Sequence, residues 1–226
     1  MFGPGLCSPA LLASALRILF VLNSLGTGGT ERSLAEMLPY FHKGGVMPTV
    51  AVFRLRPDGV EASVREQGVD VRLLGGRDAL GRVLELRKLV RALDPALVHT
   101  SLYTADILGR VASAALVPVL TSFVNQSYDA SRLRDPKVRR HRLLAAQLVD
   151  AVTARGLTAH FHAVTESVKT AVVRDLRLPP ASVTVIERGR ARDRLGEPRA
   201  ERRSSVRGRL GIPGRAFVDL NRAPRA

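Results

Sequence analysis

The segment that most limits the possible folds is residues 17–38, RILFVLNSLGTGGTERSLAEML. An apolar run, Ile18 to Leu22, ends in a glycine-rich turn, and Leu34, Met37, Leu38 and Phe41 then recur at helical spacing. A short apolar run closed by a turn reads as a buried strand, and the i, i+3, i+4, i+7 pattern after it as an amphipathic helix. Strand, tight loop and helix N-terminus thus follow one another without a gap. Gly26, Gly28 and Gly29 carry no side chain, so a ligand can come close to the backbone there. Thr30 is expected to be the N-cap, with Glu31 in the first helical turn. The free amides of such a turn can seat a phosphate or another anion. A plain strand-to-helix turn without a ligand fits the same glycines equally well.

Two common nucleotide motifs are excluded. The pattern G-x-G-x-x-G is met at Gly26 and Gly28, but Glu31 stands where the third glycine belongs. The next strand, TVAVFRL, ends in Arg54 and Leu55, not in the acid that would hold a ribose, which argues against a nicotinamide site. No Gly-Lys-Ser/Thr follows the turn, so it is not a P-loop.

Strand and helix patterns alternate along the rest of the chain. MPTVAVFRL is a second strand, and EASVREQGVDVRLLGG holds a short helix and a third strand, VDVRLL. GRVLELRKLVRALD is an amphipathic helix with Val83, Leu86, Leu89, Val90 and Leu93 on one face, ended by Pro95. ALVHTSL, VPVLTSFV, AHFHAVTES and SVTVIERG read as further strands. TADILGRVASAAL, a long basic region at 131–156 and VKTAVVRDL read as helices between them. Repeated alternation predicts an α/β fold, a Rossmann-like parallel sheet with helices on both faces. Ligands of such sheets sit beyond the carboxyl ends of the strands. Residues 1–16 are expected to form a disordered extension, 17–189 the Rossmann-like domain, and 190–213 an arginine-rich linker. Residues 214–226 are expected to be the stub of a missing second domain, its first strand starting in GRAFVDLN.

The chain has 226 residues, 46% of them hydrophobic, a formal net charge of +15, one cysteine and no tryptophan. A single cysteine excludes an intrachain disulfide and suits a reducing, cytoplasmic setting. Positive charge spread over the chain, with aromatics at 4%, is poor material for stacking nucleic-acid bases. No nucleic-acid partner is expected. The basic residues Arg132, Arg134, Lys137, Arg139, Arg140 and Arg142 form a surface that is ordinarily a solvated face, with contact to an anionic membrane surface or an anionic acceptor as the alternative. The expected location is the cytoplasm, with a peripheral position at the inner face of the membrane if that surface meets lipid. No stretch has the uninterrupted apolar length of a membrane span.

His99 and Asn125 fall at the ends of two strands, where sites form, although a structural histidine and a turn asparagine fit as well. His160 and His162 are two apart on a strand and point the same way. With no third ligand in view, no metal is expected. Glu166 and Ser167 open a helix and either cap it or face the cleft.

The GTGGTE turn resembles the Gly-Gly-x-Glu turn that opens family-four glycosyltransferases of the GT-B fold, with Gly28, Gly29 and Glu31 matching. DPALVHTSLYTADILGR is similar to that family's Pro-Asp-Val-Val-His-Thr-His strand, with Ser101 in place of the second histidine. VPVLTSFVNQSY resembles a strand that often ends in a histidine near the acceptor; Val124 or Asn125 stands there instead. HAVTESVKTAVVRDLRLPPASVTVIERGR resembles the segment that closes the domain, with Glu187 and Arg188 replacing a Pro-Asn pair. The resemblance implies the amino-terminal half of a GT-B enzyme that moves a sugar from a nucleotide sugar to an acceptor hydroxyl. It implies no catalytic metal and no cofactor beyond the donor. Gly28 and Gly29 would offer amides to the phosphate region, and Thr30, Glu31, His99, Asn125 and Tyr128 would contact substrate. The family's donor-binding groups lie in a second domain, so the chain is expected to be inactive alone, as a truncated product or as half of a split enzyme. A non-catalytic binding module of the same half-fold and a GT-B epimerase are the alternatives.

Overall fold

The computed structural model describes residues 16–129, 132, 138–189 and 199–218. The chain divides into two compact units, Met1–Arg188 and Gly189–Ala226.

The first unit is built on seven parallel strands: β1 (Leu16–Ser24), β2 (Val46–Arg54), β3 (Asp70–Leu73), β4 (Leu97–Ser101), β5 (Val119–Phe123), β6 (His160–Ala163) and β7 (Val183–Val185). Their order across the sheet is β3-β2-β1-β4-β5-β6-β7. The connecting helices are α1 (Gly29–Lys43), α2 (Glu61–Glu66), α3 (Ala79–Leu93), α4 (Tyr103–Ser113), α5 (Arg140–Leu157) and α6 (Glu166–Leu176). The order reverses between β1 and β4, which makes the carboxyl ends of these neighbours the topological switch point.

Each strand sends alternate residues to opposite faces. Phe20 and Leu22 of β1 and Val50 and Val52 of β2 meet Leu34, Ala35 and Leu38 of α1. Leu19, Val21 and Ala51 face the other way, onto Leu86 and Val90 of α3 and Ala105, Leu108 and Ala112 of α4. A third cluster joins Phe123, Phe161 and Ala163 to Ala151 and Ala154 of α5 and Val168, Val172 and Leu176 of α6. Gly109 matters in this layering. A Cβ there would come within 2.5 Å of Thr100 Cγ2, so only glycine lets α4 lie this close to β4.

Two expectations are corrected. The N-cap of α1 is Gly28, not Thr30, which lies one residue inside the helix start. In residues 214–218 there is no strand, and Phe217 is almost fully exposed. An isolated strand has no ladder partner to satisfy its amides. Within the expected linker, the described residues of the second unit form a helix, α7 (Ala200–Arg209). Arg207 Nη2 donates to the carbonyls of Pro213 and Ala216 beyond it, each at 2.5 Å. The expected extension at 1–15, the segments 130–131, 133–137 and 190–198, and the tail from 219 lie outside the described residues. Arg134 and Lys137 of the expected basic surface fall among them. Among the described residues no helix is long and apolar enough to cross a membrane.

Candidate functional site at the carboxyl ends of the strands

The glycine turn after β1 is shaped by two neighbours. The Glu31 carboxylate folds back over the helix start, and a Cβ on Gly28 would overlap it. Gly28 itself is extended, with φ −66° and ψ 160°, so no left-handed backbone is involved, and the atoms a side chain would meet belong to the movable end of Glu31. The loop after β2 packs on the turn from the other side. Val60 N donates to the Leu25 carbonyl at 2.9 Å. A Cβ on Gly59 would overlap that same oxygen. Gly29 differs from both, since a Cβ added there meets nothing within 4 Å. Nothing inside the chain demands glycine at 29, and the first turn of α1 is open to an approaching group.

His99 lies on the same sheet face as Phe20, its register partner, with ring centroids 5.0 Å apart. Its Nε2 is 2.6 Å from Ser122 Oγ, and Ser122 Oγ is 2.8 Å from His162 Nδ1. His162 Nε2 lies 2.8 Å from the Ile186 carbonyl. The direction of this chain follows from elementary chemistry. A carbonyl only accepts, so His162 donates from Nε2; in a neutral ring its Nδ1 then accepts the Ser122 hydroxyl proton. Ser122 in turn accepts from His99 Nε2–H. Four consecutive strand ends are thereby tied together on one face. Burial pushes the His99 pKa down to about 3, and positive charge on His162, when protonated, and on Arg188 acts in the same direction. His99 is therefore a neutral imidazole over the physiological range.

Residue Leu102, directly after β4, has φ 78° and ψ 139°, a conformation that costs a residue with a Cβ on the order of 1–3 kcal/mol. It starts α4 from the strand end that carries His99. Beyond β5, β6 and β7 a cleft of about 380 Å³ is lined by Val124, Val164, Thr165, Glu187 and Arg188. Thr165, not Glu166 or Ser167, caps α6: its side chain accepts from Val168 N at 3.2 Å and lies 3.0 Å from Ser167 Oγ.

Other residues singled out in the sequence are placed as follows. Asn125 is exposed in the loop after β5, its Oδ1 accepting from Ser127 Oγ at 2.8 Å. Tyr128 turns inward. Its ring belongs to the third core cluster and its hydroxyl donates to Asp150 Oδ2 at 2.8 Å. Desolvation and the adjacent Asp150 carboxylate raise its pKa. His160 bonds Thr184 Oγ1 at 2.8 Å. Among the described residues no group of three or more His, Cys, Asp or Glu is placed to hold a metal. Ser122, Leu102 and Gly59 have no motif around them. The one legible hint is Ser122, a polar residue inside an apolar strand.

This architecture, a parallel sheet of order 3-2-1-4-5-6-7 with its cleft at the carboxyl ends, is that of one half of a GT-B glycosyltransferase. The sequence profile of Glycosyltransferase Family 4 matches residues 27–194, and the chain belongs to that family. Among solved structures it is similar to HepE of Anabaena in complex with UDP, at TM-score 0.63 and 20% identity, over 87% of this chain and 50% of that one. A glycosyltransferase from Rickettsia africae matches at TM-score 0.63 and 16% identity, over 88% and 50%. Sucrose-phosphate synthase from Thermosynechococcus elongatus matches at TM-score 0.56 and 12% identity, over 88% and 53%. The chain thus spans about half the length of these proteins. No curated protein matches it in sequence.

Proposed function

We propose that this chain is the acceptor-side half of an enzyme that transfers a sugar from a nucleotide sugar to an acceptor hydroxyl. The observation that carries the reading is the family match over residues 27–194, joined to a set of strand ends that opens on a cleft. The Anabaena neighbour was solved with UDP and with UDP and glucose, which supports a nucleotide sugar as donor. In this reading the amides of Gly29 and Thr30 face the donor phosphates. His99, held neutral and oriented by Ser122, and Asn125 line the acceptor side. Glu31 keeps the glycine turn in shape. No metal or other cofactor takes part.

Transfer needs donor and acceptor held together in a site closed to water. The groups that neutralise the leaving diphosphate belong, in this proposal, to a donor-side domain, and the chain alone does not turn over. We also place the enzyme in the cytoplasm at the inner face of the membrane. The single cysteine and the net charge of +15 support this.

The test is an assay of the chain with a panel of nucleotide sugars and acceptors, alone and joined to a family donor-side domain. Turnover is expected only in the joined form. The substitution Gly29→Val, at a position where an added Cβ meets nothing within 4 Å, should lower that turnover at least tenfold with an unchanged melting temperature. Full activity of the folded variant would remove the glycine turn from the site, and turnover by the chain alone would overturn the half-site reading.

A further inference from the structure

Helix α5 is turned inside out relative to an ordinary surface helix. Its one acid, Asp150, is buried with Ala151 and Ala154 against the domain and bonds Arg110. Its outward face carries Leu144 (49% exposed), Leu148 (63%), Val149 (45%) and Val152 (56%). Residues 144, 148 and 152 are spaced four apart and so form a single stripe, with Val149 beside it. A soluble surface helix places polar groups there. Exposed leucines scattered singly need no explanation, but a continuous stripe marks a contact surface.

The charges around the stripe say what covers it. Arg139, Arg140, His141 and Arg142 are exposed at its amino end, with no acid in the first turn, and Arg155 is exposed near the other end. Cations at a helix N-terminus oppose the helix dipole, so the fold gains nothing from this arrangement. An apolar stripe bordered by arginines, without exposed acid on the helix, is the pattern of a helix lying in the plane of an anionic bilayer.

We propose that the outward face of α5 is the membrane-contacting surface of this protein. Leu144, Leu148, Val149 and Val152 enter the headgroup region while the arginines meet lipid phosphates. α5 leads from the carboxyl end of β5 back to the start of β6, so its arginine-rich end is on the carboxyl-end side of the sheet. The inference rests on the peripheral-membrane part of the proposed function and is independent of sugar transfer.

The chain has no tryptophan, so one introduced residue reports alone. In Leu148→Trp, the full chain mixed with vesicles of phosphatidylglycerol and phosphatidylcholine should show a blue-shifted emission that brominated lipid quenches. Phosphatidylcholine alone should give little shift. Tyr40→Trp, on α1 and 62% exposed, should not shift with either. Leu144→Gln with Leu148→Gln should weaken co-sedimentation with the anionic vesicles roughly tenfold or more without lowering the melting temperature. Co-sedimentation of the unsubstituted chain that persists while Leu148→Trp stays unshifted would overturn the inserted stripe and leave a charge-only membrane contact. No co-sedimentation at low salt would overturn both. A shift without lipid that grows with protein concentration would assign the stripe to a second copy of the chain and overturn the proposal.

Discussion

Adjacent residues on β4 and β5 build two polar networks on opposite faces of the same sheet. On the covered face, Thr100 and Thr121 share a hydrogen bond of 2.9 Å, and Arg110 Nε donates to Thr121. Arg110 Nη1 reaches Asp150 Oδ1 at 2.6 Å, and Tyr128 donates to the other carboxylate oxygen. Both members of this ion pair are buried. On the opposite face, His99, Ser122 and His162 form a chain that ends on the Ile186 carbonyl. The first network holds a full charge pair sealed by α4 and α5; the second runs without one beside the cleft. A buried charge must have its partner supplied by the surrounding elements, and two packed helices can supply it. Groups at the strand ends are oriented by single hydrogen bonds, which can fix a tautomer without locking the site behind an ion pair.

The difference predicts its largest effect on the covered face. Asp150→Ala strands the Arg110 guanidinium and the Tyr128 hydroxyl together, and should lower unfolding free energy in urea by roughly 3–5 kcal/mol. A loss no larger than that of Ser122→Ala would erase the distinction between the two networks.

The pH dependence of stability sharpens it further. Asp106, on the covered face of α4, has its pKa raised to about 7 by burial, against the opposing pull of Arg110 and a Thr100 hydrogen bond. Its Oδ1 has no hydrogen-bond partner among the described residues. Between about pH 4 and 7 the native state holds a proton there that the unfolded chain has lost, so this group makes stability fall as pH rises. His99 acts in the opposite sense. Between about pH 3 and 6.5 the unfolded chain binds a proton that the native imidazole refuses, so stability rises with pH. Each contributes a slope of about 1.4 kcal/mol per pH unit, and over pH 4–6.5 the two oppose each other. Asp106→Asn should therefore tilt the profile upward with pH, and His99→Gln should tilt it downward. Parallel profiles for both variants and the parent would show that neither group titrates as its surroundings require.

Smaller effects follow on single bonds. Ser122→Ala leaves His99 Nε2 and His162 Nδ1 unpartnered, for roughly 1–3 kcal/mol in chemical denaturation. Tyr128→Phe removes one hydrogen bond to a carboxylate that keeps Arg110, and should cost roughly 1–2 kcal/mol. If Tyr128→Phe instead left stability untouched and changed acceptor affinity in a two-domain enzyme, the hydroxyl would belong to the cleft after all.

The sequence by itself determined the order and type of the elements from β1 to β7 and the place of the glycine turn. Those features are local: a period of two or 3.6, a breaker, a cap. It marked His99 because strand ends can be read from the pattern. What surrounds His99 could not be read. Its bond to Ser122 spans 23 residues, and the bonds from Ser122 to His162 and from Arg110 to Asp150 span 40 each. Only the strand order and the seating of α4 against α5 bring those partners together. The inward turn of Tyr128 could not be read for the same reason, because the direction of a loop side chain depends on what waits inside. Helix α5 is the plainest case. Apolar residues lie on every side of it, Leu143, Leu144, Leu148, Ala151, Val152 and Ala154 among them, so its periodicity cannot choose a buried stripe. The tertiary structure chose the stripe with Asp150, because Arg110 was already buried there, and left the leucines outside.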